Sequence, residues 1–170
     1  MSLVNIFYVD EDPVVAARSL PDAHIRKMPL ETVQMLVSAL MRHGISHEVM
    51  TKAGTLHKGG YKNHPCTIWA GDTRGNFLWL LAHGFALCDE FVHRYGHEHF
   101  ARTQLETLTK YAYVLPEGVL TPPHLAMPDE LKTDNPVESY RACIRWKVES
   151  KPLSFDWLKD WTRRPGWSYP

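Results

Sequence analysis

Residues 24–38 carry apolar and polar positions with a helical period, and the polar positions are few. At 100° per residue, His24, Lys27, Glu31, Gln34 and Ser38 fall within about 80° of one another, while Ile25, Leu30, Val33, Leu36, Val37 and Leu40 fill the opposite side. Arg26 is the exception. A solvated helix shows a broad charged face, whereas a thin polar line on an otherwise apolar helix points into a cleft or a buried polar network. Residues 73–95 repeat the design. There Asn76, His83, Glu90 and Arg94 lie within roughly 40°, and Phe77, Leu78, Leu81, Phe85, Cys88, Phe91 and Val92 cover most of the remainder. Two such stripes can face each other across one site.

Breakers and caps divide the rest. Residues 4–9 form a β-branched and aromatic run suited to a lone strand or an extended arm. Asp12 caps a short helix over 13–20 with Pro13 at its first position, and Asp22 is placed to cap the next. Pro29 leaves two options: the helix bends there, or its regular part begins there and leaves His24 and Lys27 off the stripe. Residues 44–63 read as a loop of about twenty residues, a length that often signals function. Asn63-His64-Pro65 follows, with a helical turn at 67–70. Gly96 ends the 73–95 helix, and a further helix covers 98–112. The proline-rich stretch 115–136 is irregular. Helices over 136–149 and 155–161 close an all-α, single-domain bundle with a short extended N-terminal segment.

Composition narrows the function. The 170 residues are 44% hydrophobic and 22% charged, enough for one core without disulfide or metal staples. No apolar run reaches the roughly 18 residues of a membrane span. Cys66, Cys88 and Cys143 lack a paired spacing, which fits reduced thiols and a cytoplasmic setting. Residues 1–3 fit a leader ahead of the native sequence. Lys plus Arg and Asp plus Glu number 19 each, so a nucleic-acid site has to be a local patch. The C-terminal third offers one: Arg163, Arg164 and other basic residues interleave with tryptophans, as phosphate contact and base stacking require, or as core anchors beside a solvated face. Phosphate-loop, HExxH, GxSxG and paired-cysteine zinc signatures are missing. His93, His97 and His99, or His64 with His83 and His24, are the metal candidates, against histidines bonded to backbone carbonyls; no metal and no organic cofactor is expected.

The order of motifs resembles the pyrimidine dimer DNA glycosylases of phages and bacteria and, more closely, the small uncharacterised proteins grouped near them. The residues that carry the resemblance are Asn5-Ile6-Phe7-Tyr8, then Asp22, His24, Lys27, Glu31 and Gln34 on one helix, Asn63-His64-Pro65 with Trp69, Ala86-Leu87-Cys88-Asp89-Glu90 with Arg94, and Arg164-Pro165 with Trp167. The resemblance implies a helical enzyme that binds duplex DNA and uses the N-terminal α-amine as nucleophile beside a glutamate. An α-amine with a pKa near 8 is partly neutral at pH 7, so it can attack the sugar C1′, expel the base and form an imine. Glu31 is the best-placed carboxylate, with Asp22, Lys27 and His24 as catalytic companions; Lys27 is an alternative nucleophile if desolvated. Gln34, Asn63, His64, Asn76, His83, Arg94, Arg163 and Arg164 are the candidate substrate contacts. The chain departs from the characterised enzymes in having Ser2 where they have threonine, and Ser19 before Leu20-Pro21 where they place their glutamate. The other readings are a non-catalytic nucleic-acid-binding module and a small-molecule or metal-dependent enzyme with a His- and carboxylate-lined pocket. Oligomeric state is not legible.

Overall fold

A computed structural model describes residues 5–170. Two long helices, α2 (Asp22–Arg42) and α4 (Arg74–Tyr95), form its main packing pair, and α1 (Pro13–Arg18), α3 (Pro65–Asp72) and α5 (Ala101–Thr109) pack against one or both. The sixth helix, α6 (Pro136–Ser150), sits chiefly against the short 3-10 turns 129–131 and 166–168. The architecture is all-α.

The apolar sides of the two long helices meet, as the spacing predicts for α2 and in part for α4, where Leu78 is exposed and Leu80 and Leu87, outside the expected set, are buried. Ile25, Val33, Leu36 and Leu40 of α2 and Phe77, Leu80 and Leu87 of α4 are fully buried in one hydrophobic cluster. Burying each such side chain stabilises the fold by about 1.5–3 kcal/mol. Gly84 sets the closeness of approach: a Cβ there would stand 2.9 Å from Leu105 and 3.0 Å from Thr32, so α2 and α5 can both press on α4 only where this side chain is missing. Thr73 caps α4 by accepting the Asn76 N–H, and Gly96 ends it at φ 76°, a left-handed conformation that costs glycine nothing.

The helix through Pro29 is continuous from Asp22 to Arg42, so His24 and Lys27 stay on the stripe. Several boundaries differ from those the sequence predicts. Asp22 does not cap α2; Pro21 takes that position with no side-chain bond, and Asp22 is the first helical residue. Its N–H is satisfied instead by the Asp156 carbonyl at 2.8 Å. That contact also explains why 155–161 is not a helix. Lys159 donates its N–H to the Asp22 carboxylate and Trp157 donates its indole N–H to the Ser19 carbonyl, and these tertiary bonds hold the segment open until a single 3-10 turn at Trp161–Arg163. The helix expected over 98–112 is shorter, Ala101–Thr109, followed by a separate 3-10 turn at Ala112–Val114. The first helix also ends early, at Arg18.

Residues 5–9 are a buried arm without regular structure rather than a strand. The Asn5 side chain accepts the Phe7 N–H at 2.8 Å and donates to the Ala126 carbonyl at 2.9 Å, which ties the arm to the proline-rich segment. Phe7 has φ 45°, a conformation that costs a side-chain-bearing residue of order 1–2 kcal/mol and persists only where its surroundings impose it. The rest of the run called a strand or arm, and the leader and Ser2, fall in residues 1–4, outside the described residues. Among the described residues no helix is long and apolar enough to cross a membrane.

Candidate functional site

The polar stripes separate into two places. The first is the amino-terminal end of α2, where the Arg94 side chain is completely buried. Its guanidinium donates to Glu90 Oε1 at 2.9 Å, Asp22 Oδ1 at 3.0 Å, the Leu20 carbonyl at 2.7 Å and the Arg18 carbonyl at 2.8 Å. Arg163 reaches the same Glu90 oxygen at 2.9 Å. With four of its five N–H donors spent on the fold and its side chain sealed from solvent, this guanidinium is not placed to meet a substrate. Arg164 lies with its guanidinium 3.9 Å from the Tyr169 ring centre and donates to the Ser168 hydroxyl.

Two other α4 residues are also occupied by the fold. Asn76 donates to the Trp69 carbonyl and the Thr121 hydroxyl, both at 2.8 Å, and accepts the Thr121 N–H. It clamps the proline-rich segment onto α3 and α4. The His83 ring bonds to the Pro13 carbonyl and stacks on Trp79, and burial pushes its pKa down to about 4.

The second place is a cavity of about 420 Å³ between the arm, α2, the start of α3, the proline-rich segment and α6. Lys27 and Glu31 enter it from α2, Asn5 and Phe7 from the arm, His64 from the α3 cap, His124 and Lys132 from the irregular segment, and Cys143, Trp146 and Lys147 from α6. The His64 imidazole accepts the Cys66 N–H and so orients the turn into α3. Tyr140, buried on α6, donates its hydroxyl proton to the His124 carbonyl and anchors the opposite wall. His24 lies behind the cavity: its ring meets Phe7 edge-on at 4.5 Å and Phe155 at 5.3 Å, and neither ring nitrogen has a hydrogen-bond partner among the described residues. Gln34 runs alongside Gly60, and Asn63 is exposed beside His64.

The cavity changes the chemistry of what lines it. Burial raises the Glu31 pKa, opposed by the positive charges of Lys27 and Lys147. Burial lowers that of Lys147, and the like charge of Lys27 adds to the effect while Cys143 and Glu31 act against it. His64 and His124 are both lowered by burial, as is His24, far more strongly. An acid pushed up and an amine pushed down in one cleft are suited to proton transfer and to nucleophilic attack. With its histidines neutral the wall still holds three lysines against one glutamate, an excess that suits a phosphate-bearing ligand.

Among the described residues no group of three or more His, Cys, Asp or Glu side chains is arranged to hold a metal ion. His93 bonds to Asp160, His97 to the Tyr95 carbonyl and His99 to the Arg26 carbonyl.

The family model for pyrimidine dimer DNA glycosylase matches residues 1–103. The chain belongs to that family. No curated protein and no solved structure gives a significant match. For this member of the glycosylase family the matched span supplies Asn5, Phe7, Lys27, Glu31 and His64, while the remaining cavity wall comes from beyond it. Lys132 and His124 are absent from the candidates that the sequence offers, and Trp146 and Lys147 enter them only as part of the basic, tryptophan-rich C-terminal patch and not as partners of Glu31. For Lys147 a signal existed. Tyr140, Cys143, Ile144 and Val148 define the buried side of α6, and Lys147 falls in the middle of that side, where a lysine is out of place unless something there uses it.

Proposed function

We propose that this protein excises a base from damaged duplex DNA, or carries out a closely related base-directed reaction, in the cavity between α2 and α6. The observation that carries the reading is Glu31: a carboxyl with a raised pKa, lining a cavity with amines, inside the span matched by the glycosylase family. Glu31 is the proton-transfer group. In its neutral form it donates to a departing base or sugar oxygen; as the carboxylate it stabilises the cationic sugar that forms. An amine in the same cleft attacks C1′, and the flanking lysines take the phosphates. No organic cofactor enters this scheme.

The experiment is base release. Duplex DNA bearing ultraviolet photoproducts, and separately other single lesions, is incubated with the protein and then with alkali, which cuts at every site that has lost its base. The expected result is cutting by the wild type and its loss in Glu31→Gln. Cutting unchanged by Glu31→Gln removes Glu31 from the reaction, and no cutting on any lesion removes base excision altogether.

A further inference from the structure

Lys147 is the cavity amine that the fold sets against aromatic rings. Its ammonium group stands 5.1 Å from the centre of the Phe155 ring and 5.6 Å from that of Phe7. The same two rings also contact His24, so the amine and a neutral, fully buried imidazole share one aromatic layer. Lys27 contrasts with it at every point. Its side chain is 54% exposed and loosely paired with Glu31 at 3.9 Å. Lys132 is held at 2.7 Å by Asp129.

We infer that Lys147 supplies the amine that attacks C1′ of the damaged or abasic deoxyribose, with Glu31 as its proton-transfer partner. The assignment rests on the base-directed reading of this cavity, and it places the nucleophile on α6, outside the span that carries the family match. In water only about one lysine in 2,500 is neutral at pH 7. Burial and the neighbouring Lys27 charge both enlarge that fraction. The groups facing the amine are Lys27 and Glu31 from α2, Cys143 from its own helix and Lys151 just past its end, and His64, His124 and Lys132 from the remaining walls.

On an abasic site the steps balance without any oxidant or reductant. The neutral Lys147 Nζ adds to the C1′ aldehyde, forming a C–N bond and a carbinolamine. Neutral Glu31 protonates the hydroxyl, which leaves as water and yields an iminium ion. The Glu31 carboxylate then removes a proton from C2′, the electron pair forms the C1′–C2′ enamine, and the C3′–O bond breaks to release the 3′ phosphate. Water hydrolyses the resulting imine and returns the free amine.

The test is covalent trapping. Wild-type protein is mixed with duplex DNA carrying one abasic site in borohydride, which reduces an imine to a stable amine, and the adduct is digested and mapped by mass spectrometry. The adduct is expected on the peptide containing Lys147. It is expected to vanish in Lys147→Met and in Lys147→Arg, the second of which keeps the charge and the phosphate attraction, and to persist in Lys27→Met. Mapping on the wild type makes the result independent of whether any variant folds. An adduct on Lys27 or on the α-amine, an adduct that survives Lys147→Arg, or no adduct at all overturns the assignment. Because base release on lesion DNA is scored separately, cutting without a Lys147 adduct sinks this inference and leaves the excision reading standing.

Discussion

Two charge pairs with the same spacing sit on the two long helices, and they have opposite fates. Glu90 and Arg94 on α4 meet at 2.9 Å with both side chains all but sealed from solvent. Four of the five N–H donors of that arginine are taken by carboxylates or by carbonyls from the α1–α2 connection. Lys27 and Glu31 on α2 stand 3.9 Å apart at the cavity wall, the lysine more than half exposed and the carboxyl largely buried. The first pair is complete, and the second leaves a carboxyl with capacity to spare. The i,i+4 spacing brings partners together in both cases, and it is the surroundings that decide whether the pair is locked into the fold or keeps capacity for a ligand.

The strongest way to break this contrast is to remove Arg94. Arg94→Met leaves Glu90 with Arg163 and Asp22 with the Lys159 N–H, removes the buried charge between the two carboxylates, and deprives the Arg18 and Leu20 carbonyls of their donor. Losing one partner of a buried pair costs about 3–5 kcal/mol. Urea unfolding is expected to show a midpoint lowered to match, and a loss below 1 kcal/mol removes the structural role given to this network.

Acid separates the regions next. The His83 pKa lies well below its ordinary 6.5, at about 4, so as pH falls the unfolded chain takes up a proton that the folded one refuses. Stability is therefore lost progressively between about pH 6.5 and pH 4, by about 3 kcal/mol from this residue alone. His83→Gln is expected to reduce the difference between unfolding free energies at pH 7 and pH 4. An undiminished difference would assign the acid sensitivity elsewhere, His24 being the next buried imidazole.

Glu31 carries the opposite sign. A carboxyl with a raised pKa favours folding while it is protonated and loses that contribution as pH rises through its shifted value. Glu31→Gln is accordingly expected to gain stability relative to the wild type as pH is raised from 4 to 7, while base release falls by about a hundredfold, the low end for losing a proton-transfer group. A variant with lower stability at pH 7 and unchanged activity would place Glu31 with the structural pairs.

How far these regions were visible in the sequence differs for a physical reason. Helical period and caps are local properties, so the apolar side of α2 and part of that of α4, the Asp12 cap with Pro13, the Gly96 stop and the Asn63-His64-Pro65 element are all readable from neighbouring residues. The narrow stripes signal buried polar groups at His24, Ser38, Asn76, His83, Glu90 and Arg94, though not at the exposed Lys27, and do not distinguish Arg94, which reaches back to Arg18 and Leu20, from Glu31, which faces Lys147 of α6. Those contacts join residues more than seventy positions apart. The segment 155–161 misleads for the same reason: its backbone donors and acceptors are spent on the start of α2 instead of on a helix of its own. Lys147 had a local mark, a lysine at the centre of an apolar face, but as one of many basic residues in the C-terminal third nothing local ties it to Glu31 on α2.

The smallest effect sharpens the comparison from the other side. Lys27→Met removes a charge that is more than half exposed and 3.9 Å from its partner, and an exposed helical pair of this kind contributes about 0.3–0.5 kcal/mol. Unfolding in urea is expected to change by no more than that. Yet Lys27 also helps hold the Glu31 pKa down and the Lys147 pKa down, so its removal raises both. The acid becomes easier to keep protonated while the amine becomes harder to keep neutral. If attack by the amine limits the rate, the pH at which base release reaches half its maximum moves upward in Lys27→Met with the fold intact. A stability loss of several kcal/mol would mean that Lys27 is bound into the fold as Arg94 is, and the distinction between the two pairs would disappear.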